Sequence, residues 1–289
     1  MELWFIYALA SALLAGMHTF SHKVAVEKGY SSTEINTYNT AVSAVLAFSV
    51  FFFEPVSSVS IMFVIALSLV AGITHAIGSI VRMDALKYID TALFFPLYKM
   101  IGPIFTTIIG VIFFSELLNK SEWVGVILGI LLPLLLISKM EKKRQKNLVL
   151  GLILVMVSAA LTAAAASVAK YNTVSAGSVF LFIAIAHSFA TVTSIVIGKF
   201  SKKKSEVKQR AKHDIPFYTV AIGGGLMQFF GFAAMMLAFS GGSLAIVYTI
   251  NSFYILIPIV LSVILYKEHM NIRKALAIVL SIVALAFLR

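Results

Sequence analysis

The sequence contains no cysteine and few charged residues. With no Cys among its 289 residues, disulfides, thiolate metal sites and cysteine nucleophiles are excluded. Charged side chains make up 12% of the chain, about half of the roughly 25% typical of soluble domains. Gly-rich phosphate loops and the His-Glu-x-x-His and Gly-x-Ser-x-Gly motifs are also absent, so neither ATP-driven pumping nor recognisable hydrolase chemistry is indicated. A soluble globular enzyme is excluded.

Hydrophobic residues are abundant instead. They make up 60% of the chain, and the mean hydropathy is +0.99. A bilayer core needs roughly 20 apolar residues in a helix. Ten windows approach or exceed this length: Leu3–Ser21, Ile35–Phe53, Ile61–Val81, Thr91–Ser115, Trp123–Ser138, Leu148–Ala169, Ser178–Gly198, Ile215–Phe239, Leu244–Tyr266 and Ile272–Leu288. The sequence therefore predicts an all-α integral membrane protein with ten transmembrane helices.

Lys and Arg are distributed unequally between the two sides that these windows define. The side carrying both termini holds three of them, and the opposite side holds 19. Positive loops are retained in the cytoplasm, so we expect the segments 139–147 and 199–214 to be cytoplasmic, at the plasma or inner membrane, with both termini outside. Solvated loops beside anionic lipid then explain the net charge of +11, and no nucleic-acid binding is expected.

The two halves of the chain resemble each other. Three pairs of positions carry the likeness: Ser11-Ala12 and Ser158-Ala159, Lys23 and Lys170, and Glu116 and Glu268. Each half contains five windows, an odd number, so the second half must be inverted relative to the first. We therefore predict two inverted five-helix repeats, residues 1–140 and 148–289, as in many secondary transporters.

This pattern resembles a known superfamily. Lys23 follows the first window, Pro103 lies thirteen residues before Glu116 at the end of the fourth, and the block is repeated. The chain is similar to the drug/metabolite transporter superfamily in its ten-helix form, which is built of two EamA domains. The resemblance covers essentially the whole chain. It implies metabolite transport by alternating access, commonly export of amino acids, small metabolites or toxic compounds.

Lys99 is the one fully charged side chain well inside a window. It lies about 12 Å from Thr91 along the helix axis, near the bilayer midplane. Pro96 and Pro103 flank it, which predicts a kink or break in this helix, and Asn251 occupies the matching position of the ninth window. Several interpretations of Lys99 remain open. It binds an anionic group of the substrate, its stem extends to the headgroups, it pairs with a buried partner, or it loses and gains a proton itself.

Further candidates are polar or aromatic residues at helical spacing. Amides at mid-depth need partners, aromatic rings can form cavity walls, and histidines can carry protons near neutral pH. Substrate-binding candidates are accordingly Lys99, Asn251, Asn39, Gln228, Tyr98 and Tyr248, and proton-coupling candidates are His75 and His187. No carboxylate accompanies the histidines, so the sequence predicts neither a metal site nor another cofactor.

The favoured function is a secondary active transporter, not an enzyme. Its substrate would be a small amino acid, organic anion or zwitterion, with protons as a candidate coupling ion and the lipid bilayer as its surroundings. The protein would act as a monomer or homodimer. Alternatives are a multidrug or toxic-compound exporter and, in different classes, an intramembrane lipid-modifying enzyme or a channel.

Overall fold

The computed structural model describes residues 2–54, 59–89, 91–137, 147–204, 215–257 and 272–289. These residues form ten α-helices and no strand. The helices are α1 (Leu3–Glu27), α2 (Ser32–Phe51), α3 (Ile61–Ala85), α4 (Thr91–Phe113), α5 (Lys120–Leu135), α6 (Leu148–Val174), α7 (Val179–Lys204), α8 (Ile215–Phe239), α9 (Leu244–Ser252) and α10 (Ile272–Phe287).

Each of the ten predicted windows overlaps one of these helices, which confirms the all-helical prediction for the described residues. Six of the described helices, α1, α3, α4, α6, α7 and α8, are long and apolar enough to cross a membrane. The ninth window continues beyond α9 as a 3₁₀ turn, Phe253–Ile255, and then leaves the described residues. The predicted cytoplasmic segments, 139–147 and 199–214, also fall largely outside them.

The prolines do not interrupt α4, contrary to the prediction of a break. Thr91–Phe113 is one helix with Pro96 and Pro103 inside it. A proline removes one backbone donor, and helices packed by their neighbours within a membrane tolerate that loss. The interruption lies in the ninth window instead, where α-helix changes to 3₁₀ geometry after Ser252.

Large apolar side chains cover the outside of the helix assembly. Val45 on α2, Val149 on α6 and Ile282 on α10 are 66%, 68% and 63% exposed. A soluble monomer rarely presents so extensive an apolar surface to water, whereas acyl chains solvate it well. The exposed surface therefore supports a multi-pass membrane protein.

Helices from the two halves of the chain pack against each other. α1 packs on α8, α3 on α6, and α2 on α7, with further contacts of α3 with α7, α2 with α8, α4 with α6, α1 with α9, α4 with α9 and α5 with α10. Polar side chains join α2 to α7: Asn36 donates to Ser194 (2.8 Å), and the hydroxyls of Thr40 and Thr191 lie 2.8 Å apart. The halves thus form one interleaved bundle.

Two glutamates that follow first-half helices cap helices of the second half. Glu54, after α2, accepts hydrogen bonds from the first two backbone N–H groups of α7 at 2.9 and 3.2 Å. Glu116, after α4, accepts from the first two of α9 at 2.5 and 3.2 Å. Carboxylates at helix N-termini satisfy unpaired N–H groups and complement the helix dipole. Glu116 therefore caps α9, and its counterpart in the second half, Glu268, lies outside the described residues.

Charged side chains form hydrogen bonds with the backbone at both ends of the turn between α8 and α9. The Lys170 ammonium, at the end of α6, donates to the carbonyls of Phe239 (3.0 Å) and Gly242 (2.7 Å), and Glu116 holds the beginning of α9. A cation at a helix C-terminus and an anion at a helix N-terminus are both favourable placements. We call residues 239–245, with Lys170 and Glu116, the α8–α9 corner.

Gly72 lies where α3 packs tightly against α7, so we expect alanine to be tolerated less well there than at Gly223, which lies in open space. A Cβ added at Gly72 would collide with the Ala186 carbonyl oxygen and come within 2.9 Å of Phe189 Cβ. We expect Gly72→Ala to lower the free energy of unfolding by about 1–3 kcal/mol, as overpacking does. The measurement is thermal unfolding in detergent micelles.

The matched control is Gly223→Ala on α8, where nothing lies within 4 Å of an added Cβ. Alanine there should leave the protein equally stable or about 0.5–1 kcal/mol more stable, because it is the better helix former. Equal melting temperatures for the two variants would contradict the packing of α3 against α7.

Candidate functional site

A cavity in the middle of the bundle collects most of the predicted site residues. About 670 Å³ of space free of protein atoms, part of it open to solvent, lies between its walls. Six of the eight predicted residues line it: Lys99, Asn251, Gln228, Tyr98, Tyr248 and His75. The other two, Asn39 and His187, lie behind the wall and contact wall residues through hydrogen bonds.

Lys99 is surrounded by aromatic rings. Its side chain is 3% exposed, and its Nζ lies 3.6 Å from the ring centroid of Tyr254, 5.4 Å from that of Tyr98 and 5.9 Å from that of Tyr248. Ring faces attract an ammonium electrostatically. Nζ has no hydrogen-bond or ion-pair partner in the part of the chain that the structure describes, so the ammonium has donors to offer to a ligand.

A second cation, Arg82, lines the same cavity, which corrects the prediction that Lys99 is the only deep charge. Arg82 is 7% exposed, and its Nη2 lies 3.2 Å from both His22 Nδ1 and Ser79 Oγ. Its guanidinium carbon lies 5.8 Å from the ring centroid of Tyr98. The sequence-based window ended at Val81, whereas α3 continues to Ala85 and brings Arg82 inside.

Neither buried cation has a carboxylate partner. Within the described ranges, the ion pairs are Lys23–Glu27 and Lys87–Asp84, both on the partly exposed ends of helices. No Asp or Glu lines the cavity as described. The wall is therefore electropositive, a property that suits an anionic ligand.

Hydrogen bonds between helices hold the polar wall residues in place. Asn251 Nδ2 on α9 donates to Ser11 Oγ on α1 at 2.8 Å. The Tyr98 hydroxyl on α4 donates to Thr162 Oγ1 on α6 at 3.0 Å. Gly102, one turn after Tyr98, allows Tyr248 to pack against α4, because an added Cβ would lie 2.9 Å from the Tyr248 ring.

Two side-chain amides each contact two histidines. Asn39 Nδ2 lies 3.2 Å from His18 Nε2 and 3.1 Å from His22 Nε2. All three residues are buried. Because amide nitrogen and oxygen exchange places on rotation by 180°, the protonation of the rings decides which amide atom faces them.

Gln228 makes the second amide–histidine group. Its Nε2 lies 3.0 Å from His75 Nε2 and 3.3 Å from His187 Nε2, and His187 Nδ1 lies 2.6 Å from Ser43 Oγ. This group joins α2, α3, α7 and α8 beside the cavity. No cluster of His, Asp or Glu suited to a metal ion occurs in the described residues.

Comparison with known proteins decides the family. A family model described as "Sugar transport protein" matches residues 7–287, nearly the whole chain. The chain belongs to this sugar-transport family.

No curated protein matches the chain, whereas 29 chains of solved structures do. One of them, described only as a crystal structure of a protein, has a TM-score of 0.73 and 12% sequence identity, over 99% of this chain and 94% of that chain. At this identity the likeness shows the fold alone. Membership of this family supports a membrane transporter in general.

Three residues at or beside the cavity were not among the site candidates predicted from the sequence: Arg82, Tyr254 and His22. Arg82 and His22 lie just beyond predicted window ends, in the last turns of helices that prove longer. Tyr254 gave no distinguishing signal in a chain with 10 Tyr and 23 Phe.

Because each amide contacts two histidines, we expect the removal of one amide to lower the stability of the protein substantially. Asn39→Leu keeps the side-chain size but leaves His18 and His22 without their buried partner. We expect it to lower the free energy of unfolding by about 1–3 kcal/mol for each unsatisfied group, measured by thermal unfolding in detergent. Thr193→Val, whose hydroxyl bonds only within its own helix, should change stability by less than about 0.5 kcal/mol. Similar melting temperatures would argue against the contacts of Asn39.

Proposed function

We propose that this protein is a secondary active transporter that moves a small organic anion or zwitterion across the membrane by alternating access. The observation that carries the proposal is the pair of buried cations, Lys99 and Arg82, in a central cavity that no carboxylate of the described residues lines. A buried charge is costly unless it is paired, and a bound anion supplies the missing partner. A sugar that carries an acid group fits both the positive charge of the wall and the description of the family.

The tyrosines and amides of the wall fit the rest of such a ligand. Ring faces of Tyr98, Tyr248 and Tyr254 pack against the C–H faces of a polyhydroxy compound, and Asn251 and Gln228 offer hydrogen-bonding groups for hydroxyls. The ammonium or guanidinium then faces the acid group. A cationic drug is disfavoured because both fixed charges of the wall would repel it.

The helix packing supports two inverted repeats, residues 1–140 and 148–289, as the machinery of alternating access. Exchanging α1–α5 with α6–α10 converts the α1–α8 contact into α6–α3, α2–α8 into α7–α3, and α4–α6 into α9–α1. The α2–α7, α4–α9 and α5–α10 contacts map onto themselves. All of these contacts occur. This pattern is the one expected from a two-fold axis in the membrane plane, and it favours the ten-helix EamA arrangement of the drug/metabolite transporters.

The anion preference is tested with a ligand panel. D-Gluconate, D-glucuronate, D-glucose and L-glutamine are compared by thermal shift and by counterflow in proteoliposomes. The acids should stabilise the protein more than glucose does, by about 2.7 kcal/mol at one hundred times the dissociation constant. Lys99→Met, which keeps the stem and removes the charge, should weaken binding of the acids more than about tenfold.

The matched control is Lys120→Met, which removes an exposed lysine at the start of α5. It should transport as the wild type does. Equal affinity of the wild type for glucose and gluconate, or normal counterflow of gluconate by Lys99→Met, would show that the cations do not select the substrate.

We further propose that the side bearing Lys87 is cytoplasmic and that both termini are outside. The absence of native Cys allows single cysteines to be labelled without background. Lys87→Cys and Ser121→Cys, both at exposed positions, lie at opposite ends of the α4 crossing. In intact cells an impermeant maleimide should label Ser121→Cys and spare Lys87→Cys, and the reverse pattern would invert the topology.

A further inference from the structure

The histidines differ in how many of their ring nitrogens are occupied. His22 has partners at both nitrogens, Arg82 at Nδ1 (3.2 Å) and Asn39 at Nε2 (3.1 Å). His18 has one partner, Asn39 at Nε2 (3.2 Å), and its Nδ1 has none among the described residues. His18 lines the cavity, whereas His22 does not.

The contacts that run from Arg82 through His22 and Asn39 to His18 determine which ring nitrogens carry a proton. A guanidinium only donates, so His22 accepts at Nδ1. A neutral imidazole carries one N–H, so His22 donates from Nε2, and Asn39 must present its amide oxygen there. The same oxygen accepts from His18 Nε2–H. His18 Nδ1 is then an unprotonated acceptor on a residue that lines the cavity.

The other amide–histidine group does not determine its protons in this way. Its chain ends at the Ser43 hydroxyl, which can donate to His187 or accept from it. Both orientations of Gln228 therefore satisfy His75 and His187. His18 is the histidine whose free lone pair follows from the contacts alone.

The charges facing His18 oppose its protonation in the empty cavity. Arg82 on α3 and Lys99 on α4 share the wall with it, together with His75 on α3, Tyr98 on α4, and Tyr248 and Tyr254 from the ninth window. None of these groups is a carboxylate. A proton on His18 adds a positive charge to this wall, and an anion in the cavity offsets it.

We propose that His18 Nδ1 binds a proton together with the anionic substrate, so that the protein is a proton–anion symporter. This inference rests on the proposed function. One proton passes from water to Nδ1 when the anion enters, and it returns to water on the other side when the anion leaves. By linkage, each ligand raises the affinity for the other by the same factor.

The test uses proteoliposomes with pyranine inside and D-gluconate or D-glucuronate outside. In wild type, uptake of the anion should acidify the lumen. An inward gradient of one pH unit should concentrate the anion about tenfold, the ratio that corresponds to 1.4 kcal/mol. His18→Gln retains a donor toward Asn39 but cannot bind the proton. It should catalyse counterflow without acidification or accumulation.

His187→Gln is the matched control, because both ring nitrogens of His187 have partners and it does not line the cavity. Its ratio of protons to anions should equal that of wild type, whatever its rate.

Wild-type counterflow without acidification would overturn the symport and leave the proposed function standing, independently of any variant. Failure of wild type to exchange either acid would overturn both. A wild-type proton ratio in His18→Gln would overturn the role of His18.

Discussion

Two basic side chains, Lys99 and Arg82, are buried without an acidic partner among the described residues, and the central part of the fold accommodates this cost. Burying one unpaired ion costs several kcal/mol even after the protein relaxes. The ring faces of three tyrosines stabilise Lys99, and His22 and Ser79 accept from Arg82. These groups come from α1, α3, α4 and the ninth window, so those segments must meet at one depth. The remaining electrostatic cost is the part that an entering anion removes.

The same constraint explains why the polar residues behind the wall form hydrogen bonds with one another. Asn39 and Gln228 each serve two histidines, and Ser43 serves one of them. A polar group left without a partner in a membrane interior costs far more than it would near water. The amides therefore fix the distances among α1, α2, α3, α7 and α8, and they hold the cavity wall in a single arrangement.

The sequence allowed the helices and most of the wall to be predicted, because a lysine or amide among apolar residues is conspicuous. It did not reveal Arg82 and His22, since hydropathy falls in the last turn of a helix whether that turn is solvated or covered by neighbours. Only the packing of α1 against α8 and of α3 against α6 shows that these turns are covered. The same limit applies to α4 and the ninth window. Proline predicts lost hydrogen bonds, but tertiary contacts decide which helix remains continuous.

The α8–α9 corner has a mechanical consequence for any change of conformation. Lys170 and Glu116 bind its backbone through four hydrogen bonds to charged groups, which are about twice as strong as neutral ones. Separating the corner from the ends of α4 and α6 would break all four together. These three segments should therefore travel as one rigid block, and the flexing needed for exchange between the two faces of the membrane must be concentrated elsewhere in the bundle.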